Sequence, residues 1–309
     1  MKKGLLMLGA ATMMLASCTQ NEVLEVPESR AIGFNTFVDN ATRNVSETTN
    51  ESLKSGFSVY GGYETVTDVF ENTVVTSKDG TKWTYSPMRY WVDGQFYKFA
   101  AFAPATAVGT KTFNYDDGHL DITNYVADIN APVDLVYAET TATGKTSANN
   151  IVSLSFGHIM SWVKIVFLNN FGNDVKVQVT DVDITGVKST ANYTDKVWSA
   201  PETDADFTPV SLTETTENGN KQTVDFIAIP QTIGTFKITF KLTVKDANGA
   251  ILADAVAKTA TLSSQAWSEN NIYTYTATLD GKTIGLEEIQ FNPSVTEWGS
   301  NNDEDLPLN

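Results

Sequence analysis

The segment Thr235–Asp246 sets Phe236, Ile238, Phe240, Leu242 and Val244 against Lys237, Thr239, Lys241, Thr243 and Lys245 without a break in the two-residue period. Successive side chains of an extended strand point to opposite faces, so this segment reads as a strand with one buried and one wet face. The turn residues Asp246-Ala247-Asn248-Gly249 then end it. Runs rich in β-branched and aromatic residues recur at 56–63, 96–102, 133–138, 151–156, 161–168, 175–184, 223–229 and 271–279. Turn material such as Lys78-Asp79-Gly80, Asp116-Asp117-Gly118 and Asn218-Gly219 separates them. No segment of a dozen residues keeps an apolar stripe at helical spacing. The expected fold is all-β, built of antiparallel sandwiches.

A chain of 309 residues with 16 Phe, 11 Tyr and 6 Trp has ample material for packed cores. The polar stretch Glu139–Asn150, near the middle, contains no large apolar residue. It predicts a first domain over 31–143 and a second over 148–298, with 200–222 a long surface loop in the second. The net charge of −16, from 37 acidic and 21 basic residues, argues against nucleic acid as a partner. It also argues against a polybasic membrane patch and is accounted for by solubility.

At the N-terminus, Lys2 and Lys3 precede a short apolar run from Gly4 to Met14, followed by Leu15-Ala16-Ser17-Cys18. The run is too short for a permanent membrane span and reads as a signal peptide over 1–17. "LASC" resembles a bacterial lipobox, in which the cysteine receives lipid (palmitate among the acyl chains) and becomes the mature N-terminus. Cys18 is the single cysteine of the chain and stands where the lipobox requires it. Export then leaves a protein with no disulfide, so packing has to carry its stability. Loss of Lys2 and Lys3 makes the mature chain two units more negative, and 18–30 reads as a solvated tether.

Candidate chemistry is sparse. His119 follows a DDG turn and reads as an exposed hairpin residue; His158, in FGHIMSW, reads as a structural polar residue. These two histidines, with no cysteine in the folded part, offer neither a zinc cluster nor a nucleophile pair, so no metal, cofactor or catalytic residue is expected. No G-x-S-x-G, phosphate-binding loop or dinucleotide fingerprint is present. Asp303-Glu304-Asp305 lacks the spacing of a calcium loop and reads as part of an acidic tail over 299–309. The aromatic cluster around Trp83 and Trp91 reads either as core or as a platform that stacks on sugars. No enzyme emerges from this inventory.

The first good strand has an unusual setting. Ile32, Phe34, Thr36 and Val38 share one face, with Arg30 before the strand and Arg43 after it, inside the polar run DNATRNVSETTNES. An arginine in such a run is a ready cleavage point. Ala31–Val38 spans about 26 Å at ~3.3 Å per residue. Burial of Ile32, Phe34 and Val38 contributes about 1.5–3 kcal/mol each.

Together these features resemble the fimbrillin family, the lipoprotein-derived subunits of type V pili. "IGFNTFVDNATR" resembles its first strand and processing arginine, and "GFSVYGGYE" the strand that follows. "WVDGQFYKFAAFAP" (91–104), "DLVYAE" (134–139) and "LSFGHIMSWVKIVF" (154–167) are similar to stretches of the Mfa-like branch, and "NPSVTEW" (292–298) to its ending.

The resemblance implies two transthyretin-like antiparallel β-sandwich domains and a fimbrial subunit that begins as an outer-membrane lipoprotein. It implies an arginine-specific protease, cutting after Arg43 or alternatively Arg30, and donor-strand exchange with other fimbrial subunits. A cut at Arg30 frees only the tether; a cut at Arg43 frees the strand. A stalk subunit is expected to carry a C-terminal donor segment beyond the sandwich, whereas GSNNDEDLPLN after Trp298 lacks strand alternation. The expectation is an accessory or tip position, suited to adhesion to a host or bacterial receptor, unless 283–298 detaches as the donor. The competing expectation is a surface lipoprotein that never polymerises and binds glycans through Trp83 and Trp91.

Overall fold

The computed structural model describes residues 30–38, 48–144, 151–262, 265–285 and 289–298. The signal peptide, nearly all of the tether and the acidic tail therefore lie outside the described residues. The first half supplies β1 (Gly33–Val38), β2 (Phe57–Tyr63), β3 (Val66–Ser77), β4 (Trp83–Thr84), β5 (Phe96–Ala103), β6 (Thr110–Asn114), β7 (His119–Val126), β8 (Val136–Thr143) and β9 (Ile151–His158). The second supplies β10 (Ser161–Asn169), β11 (Lys176–Thr185), β12 (Thr190–Thr194), β13 (Val197–Trp198), β14 (Lys221–Ala228), β15 (Gln231–Ile233), β16 (Phe236–Lys245), β17 (Ile251–Leu262), β18 (Gln265–Trp267), β19 (Asn271–Leu279) and β20 (Phe291–Glu297). The described part is almost entirely β, in several sheets with sandwich-like packing.

The strictly alternating segment is β16, the middle strand of a three-stranded sheet between β11 and β17. All five apolar residues of its inner face are buried. They pack on a four-stranded sheet in the order β14-β10-β19-β20, with Phe167 edge-on to Phe240 at 4.9 Å. Its closing turn is held by Asp246, whose Oδ1 accepts the amides of Asn248 and Ala250 at 2.8 Å each. Gly249 occupies the left-handed region there, at φ 84°.

Seven strands in the order β1-β9-β8-β5-β2-β3-β4 form the larger sheet. Both of its faces are covered. On β5, Tyr97, Phe99, Ala101 and Ala103 enter one core, while Ala100 and Phe102 enter another. The second core is roofed by the sheet β13-β12-β7-β6 and also takes in Trp162, Ile227, Ile272 and Trp298, so it joins both halves of the chain.

Described strands on either side of the expected break near 143–148 pair with each other. β9 pairs with β8 and β1, and β12 pairs back onto β7 across the proposed division. Glu139–Thr143 is polar because that half of β8 is a partly exposed strand, not a linker.

Two glycines in β2 mark its close approach to its neighbours, Gly61 to Lys98 and Phe99 of β5 and Gly62 to Val66 and Thr67 of β3. A β-carbon on Gly62 would lie 2.2 Å from the Val66 carbonyl oxygen, where the β2–β3 register is irregular. Gly62→Ala is expected to lower stability by about 1–3 kcal/mol, read as a lower urea midpoint with an unchanged slope.

Candidate functional site

β1 is the outermost strand of the seven-stranded sheet, and its ladder is parallel to β9, from Gly33 opposite Ile151 to Val38 opposite Phe156. The chain just before it bridges to the opposite side of the rolled sheet. Ala31 forms an antiparallel bridge with Tyr90; the Ile32 amide donates to the Arg89 carbonyl at 2.9 Å and the Trp91 amide to the Arg30 carbonyl at 3.0 Å. Tyr85 adds a hydroxyl that donates to the Ile32 carbonyl at 2.7 Å. At the far end the Val38 amide donates to Asn50 Oδ1 at 2.7 Å.

The four residues read as one face do lie together on the inner side of β1. Ile32, Phe34 and Val38 are buried in the core beneath the sheet, while Thr36 is half-buried and Phe37 points out to solvent. The Phe34 ring meets Phe57, Phe70, Tyr85 and Phe99 edge-on, at centroid distances of 6.3, 5.4, 5.6 and 6.2 Å. Each such pair contributes about 0.5–1.5 kcal/mol beyond its buried area. Without β1, this aromatic pocket and one edge of β9 would face water, an arrangement that favours capture of another strand. Sequence reasoning did not link Tyr85, the 89–91 segment and Asn50 to β1, because none carries a local signal of contact with a strand some twelve to sixty positions away.

Other candidates fall elsewhere. Cys18, Arg43 and Asp303-Glu304-Asp305 lie outside the described residues. Arg30 is half-buried with its carbonyl hydrogen-bonded, a poor substrate geometry for a protease that needs extended, accessible backbone. Trp83 and Trp91 are only 9% and 1% exposed and pack in the core under β1. The glycan platform expected of them is therefore corrected: neither indole has a face free for a sugar ring.

His119 is not freely exposed. It is half-buried, and its Nδ1 lies 2.7 Å from Glu139 Oε1, which also accepts the Tyr137 hydroxyl. His158 is fully buried, with Nδ1 2.8 Å from Asp134 Oδ2, and its ring stacks on Trp298 at 4.4 Å and 6°. Thr48 joins this cluster, its amide donating to Asp134 Oδ2 at 2.7 Å and its hydroxyl to the Asp134 carbonyl at 2.6 Å. Among the described residues, no group of three or more His, Cys, Asp or Glu side chains is placed to hold a metal.

Two outcomes follow, one from the groove and one from buried tyrosines in and beyond it. Phe34→Ala in the intact chain is expected to cost about 3–5 kcal/mol, measured by urea unfolding. Burial pushes the Tyr85 hydroxyl up to about 12, and the same cause raises Tyr60 and Tyr275 to about 12. A raised folded-state value means that their contribution is complete below about pH 10 and is lost as pH climbs towards 12. Tyrosinate absorbance is therefore expected to rise together with loss of near-ultraviolet circular dichroism in that window.

Comparison with known proteins agrees with this architecture. The profile described as fimbrillin-like matches residues 42–298. Fimbrium subunit Fim1C of Phocaeicola vulgatus is 25% identical over 251 residues, covering 66% of this chain but only 64% of that subunit, less than two thirds of its length. A fimbrial protein of Bacteroides vulgatus superposes over 87% of this chain and 99% of its own, with TM-score 0.58 and 19% identity. A Bacteroides ovatus protein assigned to cell adhesion covers 87% and 98%, with TM-score 0.57 and 15% identity. At these identities the superpositions speak for the fold, while the profile match spans most of the sequence. The chain belongs to the fimbrillin-like family.

Proposed function

We propose that this protein is a structural and adhesive subunit of a cell-surface fimbria, of the type V pilus class, with β1 as a removable plug. The carrying observation is that β1 inserts Ile32, Phe34 and Val38 into the core, yet is laddered to a single neighbour, β9. A parallel ladder is also slightly weaker per residue than an antiparallel one. In this reading Cys18 carries the lipid that delivers the precursor to the outer membrane. An arginine-specific protease cuts after Arg43, β1 leaves, and a strand from another subunit takes its place. The half-buried, hydrogen-bonded setting of Arg30 supports Arg43 as the processing point.

An accessory or tip position, in which the subunit accepts a strand and donates none, remains our first reading of its place in the fimbria. A receptor on a host or bacterial surface would then be the adhesive partner. One observation favours a donating role instead. Ile289, Phe291 and Val295 repeat the spacing of Ile32, Phe34 and Val38, and β20 is an outer strand paired only with β19. Arginine-specific cutting of the purified protein separates the two readings: chains that donate β20 form long oligomers alone, and a pure acceptor does not.

The deciding measurement is intact mass and N-terminal sequencing of protein recovered from the cell surface. The expected chain starts at Asn44, and Arg43→Ala retains the 31–43 segment. A surface chain still beginning at lipidated Cys18 would overturn processing and, with it, assembly by strand exchange.

A further inference from the structure

Thr36 is the one polar residue on the inner face of β1, between Phe34 and Val38 and opposite Leu154 of β9. Its hydroxyl oxygen is buried and has no hydrogen-bond partner. A second polar atom of the same core, the indole N–H of Trp83, is likewise buried without an acceptor. Trp83 lies on β4, which runs close to β1. Polar groups removed from water without a partner weaken the state that buries them, whereas an apolar group of the same shape in that place does not.

We propose that Thr36 is the position at which the groove discriminates its final occupant from its own plug. That occupant is a partner subunit's strand with an aromatic residue in the place of Phe34, an aliphatic one in the place of Val38, and an apolar side chain in the place of Thr36. The proposal rests on the strand-exchange reading. In the uncut chain the plug stays seated despite the mismatch, because covalent linkage keeps β1 at a high effective concentration beside its groove. Once the linkage is cut, β1 becomes an ordinary ligand and the buried hydroxyl counts against it. Exchange then runs towards the better-fitting strand, without any input beyond the cut itself.

The test uses the mature protein cut with an arginine-specific protease, the cut verified by mass. Two fluorescent peptides spanning Ala31–Asp39 compete for the groove, one with the native sequence and one with valine in place of Thr36. The valine peptide is expected to bind about tenfold more tightly, a factor equal to about 1.4 kcal/mol. β1 of a Thr36→Val protein, cut in the same way, is expected to leave about tenfold more slowly. Thr36→Ser, which keeps the hydroxyl, is expected to give no gain. Equal binding of both peptides, or tighter binding of the native one, would overturn the role of Thr36 and leave strand exchange standing. A cut protein that takes up neither peptide would overturn both.

Discussion

The contact on which the first half of the molecule depends is the Phe34 ring set edge-on among Phe57, Phe70, Tyr85 and Phe99. Those rings come from β2, β3, β5 and the segment after β4, elements that the seven-stranded sheet brings round a common interior. Phe34 touches all of them from the outermost strand. The sheet is thus closed by a side chain rather than by a continuous ladder, and the hydrogen bonds from Arg30 to Trp91 only stitch one end of the seam. A large apolar group held in this way supplies much stabilisation while leaving few backbone bonds to break on its removal.

A different chemistry lies where His158 of the first half meets Trp298 of the second. Asp134 receives two hydrogen bonds from Thr48 and the imidazole of His158, and His158 in turn lies flat against Trp298. Thr48 lies ten residues after β1, His158 ends β9 and Trp298 follows β20, so residues far apart in the chain meet in one buried cluster. A polar network in a low-dielectric interior specifies one arrangement, because any shift leaves a buried group unmet. The cluster sits just beyond the proposed processing point and would keep the shortened chain anchored after β1 has gone.

Legibility in the sequence followed exposure. β16 could be read residue by residue because water contacts one face and core the other. β5, covered on both sides, reads as a continuous apolar run in which alternation is hidden, and its two opposed cores emerge only in three dimensions. The inner face of β1 was legible for the same reason as β16. Its partner was not, since β9 lies more than a hundred residues away and nothing local encodes a parallel pairing. Within the polar run Glu139–Asn150, Glu139–Thr143 is a half-wet strand end, which composition alone does not distinguish from a loop. Trp83 and Trp91 could be placed as core or platform only by their neighbours, and those come from β1, β2 and β5.

The parallel course of β1 beside β9 gives the groove a sense of direction. Side chains on a strand lean along its length, and the pockets for Ile32, Phe34 and Val38 are unevenly spaced, two residues and then four. A strand presented backwards would meet the gaps in the wrong order. An assembly made by filling such grooves is accordingly vectorial: each subunit points the same way as the last, and the two ends of the fibre are chemically distinct.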